Sequence, residues 1–223
     1  MFVLWVAAAA AADLTGTWRL DLHLVHDVRV PVLGHSPSDS YTVQLWTVAD
    51  GVLENEHCSI VAVTRRRIGK PTIPEPFVRN IRHATAPIEL DGDRFRVDLG
   101  TATIGYVGDA VPTEPTDPTL VDHESDGNPG ATIRVWAPLF GDVEVYVAQR
   151  THLVLVGTVE GDAVTGQARQ EELVQHTLGA ANRLFAQQPN VTPVLDESTF
   201  ALTRVPAGTT CADPRMEPVE AAR

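Results

Sequence analysis

Carboxylates at alternating positions are the residues of this chain whose types and spacing most directly suggest chemistry. Asp122, Glu124 and Asp126 stand at the first, third and fifth places of Asp122-His123-Glu124-Ser125-Asp126-Gly127-Asn128-Pro129-Gly130. A hard cation such as calcium takes ~6–8 oxygen ligands, and a turn tightened by glycine lets side chains converge on it. Asn128 falls where a backbone carbonyl usually contributes. The loop is not an EF-hand, because its twelfth place holds Ile133 instead of a bidentate Glu and Pro129 interrupts it. Remote carboxylates would have to complete the shell, and Asp109, Asp117 and Glu144 are the nearest in sequence. The same Asp, Ser, Gly and Asn residues also suit a connecting loop built on Asx turns. Calcium is the one cofactor this pattern suggests.

Other reactive residue types form weaker patterns. Among the 8 histidines, His23 and His26 lie closest together in a strand-like segment. A spacing of three sends them to opposite faces of a strand, so they do not share a metal. No H-E-x-x-H or Cys/His cluster occurs. Gly34-His35-Ser36-Pro37-Ser38 approaches a G-x-S-x-G nucleophile elbow but lacks the final glycine. The elbow also needs a strand–turn–helix, whereas a strand follows here, so the segment reads as a loop. No catalytic constellation emerges, and the expectation is a non-enzyme. Asn190-Val191-Thr192 is a formal glycosylation sequon.

Two features point to export. Residues Met1 to Ala12 read MFVLWVAAAAAA, an uncharged apolar run ending in small residues, with Ala10 and Ala12 flanking a cleavage point before Asp13. That is the pattern of a secretory signal peptide, although no Lys or Arg precedes the run. The run is shorter than the ~18 apolar residues that span a bilayer, and no later stretch is longer. The only cysteines are Cys58 and Cys211. In an oxidising compartment an isolated pair commonly forms a disulfide, here one that ties the tail to an early strand. The expected localisation is therefore secreted or periplasmic.

The balance of 29 Asp+Glu against 17 Lys+Arg, formally −12, argues against nucleic acid as a partner. Arg65-Arg66-Arg67 with Lys70 is the one basic run, and it reads as a solvated turn. The 211 residues after the apolar start (223 less 12), with 43% hydrophobic residues overall, suffice for one sizeable core. The expected organisation is a β domain over residues 13–206 and a tail over residues 207–223 anchored by the disulfide.

Short alternating segments separated by Gly, Pro and Asp must position these residues. Gly16 to Leu24 places Trp18, Leu20, Leu22 and Leu24 on one face and Arg19, Asp21 and His23 on the other. Ser40 to Val48 alternates likewise, and Asp50-Gly51 turns the chain into a returning strand over Leu53 to Val63. Further arms flank Asp91-Gly92, Phe140-Gly141-Asp142 and Glu160-Gly161-Asp162, and a last strand covers Thr199 to Val205. Glu171 to Gln187 carries Leu173, Val174, Leu178, Ala181, Leu184 and Phe185 at spacings of three and four, which predicts one helix ended by Pro189. About ten strands joined mostly by hairpins predict an antiparallel up-and-down barrel or a sandwich, with one packed helix near the C-terminus.

Gly16-Thr17-Trp18 at the start of the first strand resembles the G-x-W signature of lipocalins and related calycins. In that family the Trp closes one barrel end and an Arg near the final strand packs over it. Arg204 is the corresponding candidate, and Gly16 and Arg204 are expected to be structural. The resemblance covers only the two ends of the chain. It implies a cavity for a small apolar or amphipathic ligand, lined from the first two strands by Trp18, Leu20, Leu22, Tyr41, Val43 and Leu45, with inward parity taken from alternation alone. The competing expectation is a filled, calcium-stabilised envelope or interaction module. Oligomeric state is left open.

Overall fold

The computed structural model describes residues 13–31, 34–65 and 70–218. The apolar start, Met1 to Ala12, lies outside the described residues, as do Arg66 and Arg67 of the basic run. Eleven strands form in chain order: β1 (Gly16–Val30), β2 (Gly34–Ala49), β3 (Val52–Thr64), β4 (Lys70–Thr72), β5 (Thr85–Asp91), β6 (Arg94–Ile104), β7 (Ala131–Ala137), β8 (Gly141–Glu160), β9 (Ala163–Ala180), β10 (Asn190–Pro193) and β11 (Thr199–Val205). Among the described residues one α-helix forms, α1 (Glu75–Arg79), after β4.

Eight strands close into a ring in the order β8, β6, β5, β3, β2, β1, β11, β9 and back to β8. All its pairings are antiparallel, and because β9 pairs with β8 the ring has no free edge, so the architecture is a barrel and not a sandwich. β7 lies on β8 beyond the stretch that β6 occupies, and β4 extends that flap. The hairpins close where the sequence puts flexible dipeptides. Asp50 and Gly51 both have positive φ, 52° and 74°, as a two-residue primed turn requires.

One end of the barrel is solid. Trp18, Leu20, Trp46, Leu53, Phe95, Val97, Leu155 and Val164 are all buried there, and the Trp18 indole N–H donates to the Leu14 carbonyl at 2.7 Å. Burying such side chains stabilises the fold by roughly 1.5–3 kcal/mol each. Toward the other end the lumen opens, first past the polar Gln44, Asn55 and His57 and then between aliphatic walls.

The region predicted as a helix, Glu171 to Gln187, is instead the second half of β9, followed by a short 3-10 turn at Arg183–Phe185. The misreading has a physical cause. β9 carries two irregularities against β8, where Gln170 faces Leu153 while Glu172 faces His152, and Thr177 faces Val147 while Gly179 faces Tyr146. Each inserts one residue and turns an inward spacing of two into three. Gln170, Leu173, Gln175, Thr177 and Ala180 therefore continue the inward face, while Val174 and Leu178, which completed the helical pattern, lie on the outer one, Leu178 buried against Tyr106 and Ala148. Gly34 to Ser38, expected to be a loop, is likewise the start of β2, paired to Ser38↔His26 and onward along β1.

Cys58 and Cys211 form the expected disulfide. Cys58 is the extra residue of a bulge between the Gln44↔His57 and Val43↔Ser59 pairs. The tail it anchors lays Met216, 2% exposed, over Val43 and Leu45 on the outer wall.

Candidate functional site

Above the solid end lies a cavity of about 410 Å³, within the range of small-molecule sites. Its upper wall is aliphatic and aromatic, with Val28, Ile60, Ile73, Ile104, Ile133, Val145 and Val147. β5 pairs with β3 only over Val52–Glu54, so the wall beyond is supplied by the segment containing α1, through Phe77 and Ile81. That segment is pinned by Asn55, whose side-chain carbonyl accepts from the Ala84 amide at 2.6 Å.

The floor is polar on the β2–β3 side. Gln44 is 3% exposed, and its carbonyl accepts from both the Trp46 indole (2.8 Å) and the Asn55 amide (2.9 Å). Its own NH2 therefore faces His57 Nε2 at 3.0 Å. Burial pushes the His57 imidazolium down to about 4, with the nearby His83 adding to the effect, so the ring is neutral at neutral pH.

A second polar chain closes the wall where β11 ends. The His26 ring meets the Gln170 carbonyl at 2.7 Å, and Gln170 donates to the Thr151 hydroxyl at 2.7 Å, joining β1 to β9. Burial lowers the His26 pKa as well, with the Gln170 hydrogen bond partly opposing it.

The predicted lining residues divide. Leu22 is on the cavity wall, while Trp18 and Leu20 lie in the solid end beneath it. Tyr41, Val43 and Leu45 require correction, because they face outward. Paired residues share a face, and Leu22↔Thr42, Leu20↔Gln44 and Trp18↔Trp46 put Thr42, Gln44 and Trp46 inside. Val43 and Leu45 look like core residues because the disulfide-anchored tail covers them. Tyr41 stacks on His23 with ring centroids 4.6 Å apart. His23 in turn meets Asp39 at 2.8 Å, and Arg65 holds that carboxylate at 2.8 and 2.9 Å and so lowers its pKa. Sequence reasoning missed Gln44, Asn55, His57 and Gln170. Trp46 and Val48 signalled the true phase of β2, since they alternate with Gln44 and Thr42.

Gly16 and Arg204 meet at the solid end. The Arg204 guanidinium sits 4.3 Å from the Trp18 ring centre and donates to the Thr15 (2.6 Å) and Asp13 (2.9 Å) carbonyls. Gly16 has φ of 130°, and a Cβ there would come within 2.7 Å of that guanidinium. Only glycine tolerates both conditions.

In the acidic loop, Asp122 accepts from the Asp126 (3.2 Å) and Gly127 (2.8 Å) amides, and Asp126 accepts from the Asn128 amide at 2.9 Å. Glu124 accepts from the Thr132 amide at 3.2 Å, its other oxygen is buried without a partner, and burial raises its pKa. Asp117 caps Thr119 and Glu144 faces Arg134 at 3.5 Å. Among the described residues, no three His, Cys, Asp or Glu side chains converge as a metal would need. No helix among the described residues is long and apolar enough to cross a membrane. No family model, curated protein or solved structure matches the chain.

Proposed function

We propose that this protein is an exported, lipocalin-like barrel that binds a small apolar or amphipathic molecule in its cavity and does not catalyse its conversion. The observation that carries the reading is the 410 Å³ space with an aliphatic upper wall above a packed, closed end. A core needed only for stability is filled to high density, and an unfilled lumen of this size forgoes dispersion and burial. The stacking of Arg204 on Trp18 beside Gly16 supports the family likeness. The Cys58–Cys211 disulfide supports export to an oxidising compartment.

The test is a titration with a neutral fluorescent apolar probe, followed by its emission and by tryptophan quenching. Saturable binding at one site is expected. Ser40→Phe projects a ring into the lumen from the cavity wall and should weaken probe binding at least tenfold with the fold intact. Absence of saturable binding to the native protein would end this reading.

A further inference from the structure

The chain carries 29 Asp and Glu residues, yet none of the described residues lining the cavity is acidic. The ionisable groups on that wall are His26, His57 and the exposed Arg82. An amphiphile with an ammonium head would therefore lose its hydration in the lumen and find no counter-charge.

The floor adds a directional element. An indole N–H only donates, so the Gln44 atom 2.8 Å from Trp46 Nε1 must be the amide oxygen. The Asn55 NH2 on the same oxygen agrees with that orientation. Gln44 then presents N–H to His57 Nε2, which has to be the unprotonated ring nitrogen. The proton consequently sits on His57 Nδ1, and this N–H is buried with no hydrogen-bond partner. A buried donor left unpaired is costly and is normally satisfied by an oxygen, from water or from a ligand.

We propose that the cavity selects neutral or anionic amphiphiles over cationic ones, and that the ligand's oxygen accepts a hydrogen bond from His57 Nδ1–H at the polar side of the floor. His57 lines the cavity floor, and histidine's χ2 well is broad, so rotation of the ring is the motion that would turn the donor toward a ligand. The inference rests on the cavity being a ligand site, as proposed above.

The experiment displaces the bound neutral probe with four compounds of equal chain length: dodecane, dodecanol, dodecanoate and dodecylamine. Dodecanol and dodecanoate should each compete at least tenfold more tightly than dodecylamine. Replacing His57 by Phe should reduce the preference for dodecanol over dodecane, measured within the same variant, about three- to tenfold, the range a single hydrogen bond supplies. Nitrogen-15 shifts of the native protein should show His57 as the Nδ1–H tautomer, a readout that needs no variant. Equal competition by dodecylamine, an Nε2–H tautomer, or an unchanged preference in His57→Phe overturns the inference while probe binding still upholds the cavity as a site. Failure of the probe itself to bind removes the reading on which it rests.

Discussion

Protonating His57 should cost the folded protein a measurable part of its stability, and the network around the ring says why. Nε2 accepts from the Gln44 NH2, and Gln44 cannot turn over without setting its NH2 against the Trp46 indole N–H. Burial of the ring, with His83 nearby adding to it, lowers the pKa from 6.5 to about 4, and a proton on Nε2 would also set two donors against each other. Because the folded pKa is depressed, the unfolded chain takes the proton first as pH falls. Stability is therefore flat above about pH 6.5, declines as pH drops through the window between 6.5 and about 4, and has lost its full share at the lower end. At ~1.36 kcal/mol per unit, the difference corresponds to about 3 kcal/mol. The assay is urea unfolding at pH 7.5, 6.5, 5.5 and 4.5 for the native protein and His57→Gln. His26 and the carboxylates titrate in both proteins and cancel in the comparison. The native protein should lose about 2–3 kcal/mol more than the variant between the two extremes. If both lose stability in parallel, burial does not hold His57 neutral and the reasoning fails.

Other consequences are as direct. Cys58→Ser or reduction frees a tail joined across 153 residues of sequence and should lower stability by about 2–5 kcal/mol, read as the urea midpoint with and without dithiothreitol. Removing Arg204 strips the cation from the Trp18 face and two bonds from backbone carbonyls. Arg204→Ala should therefore cost about 2–4 kcal/mol in thermal or urea unfolding, and Arg204→Lys should recover less than half of it. In the acidic loop, Asp122 and Asp126 already satisfy the loop's own amides. Millimolar calcium or chelator should thus leave the thermal midpoint within a degree or so, whereas a rise with calcium would reveal native-state metal binding there.

How far the chain could be read without its fold varies from element to element. The hairpin at Asp50-Gly51 was legible because its turn chemistry is local, and so was the inward row of β1 from Trp18 to Leu24. β2 was not, because its two faces are both partly apolar: one carries Trp46 and Val48, the other Tyr41, Val43 and Leu45. Alternation reports only that the faces differ, and the pairing of Trp18 with Trp46 decides which one points inward. β9 was lost for a related reason. Its bulges depend on register against β8, and a strand whose inward spacing runs three, two, two, three has no periodicity of its own to betray it.

By itself the sequence determined an antiparallel β chain of one core, an acidic surface, a lone cysteine pair and the Gly16-Thr17-Trp18 opening. These follow from residue type, short-range alternation and turn dipeptides, all of which act over a few neighbouring positions. Tertiary structure alone decided that the sheet closes on itself through β8 and β9, that one end is packed and the other hollow, and that the tail shields Val43 and Leu45. It also gathered Gln44, Trp46, Asn55 and His57 into one hydrogen-bonded group. Such outcomes are set by register and by which surfaces remain to be covered once the barrel shuts, and no window of neighbouring residues contains that information.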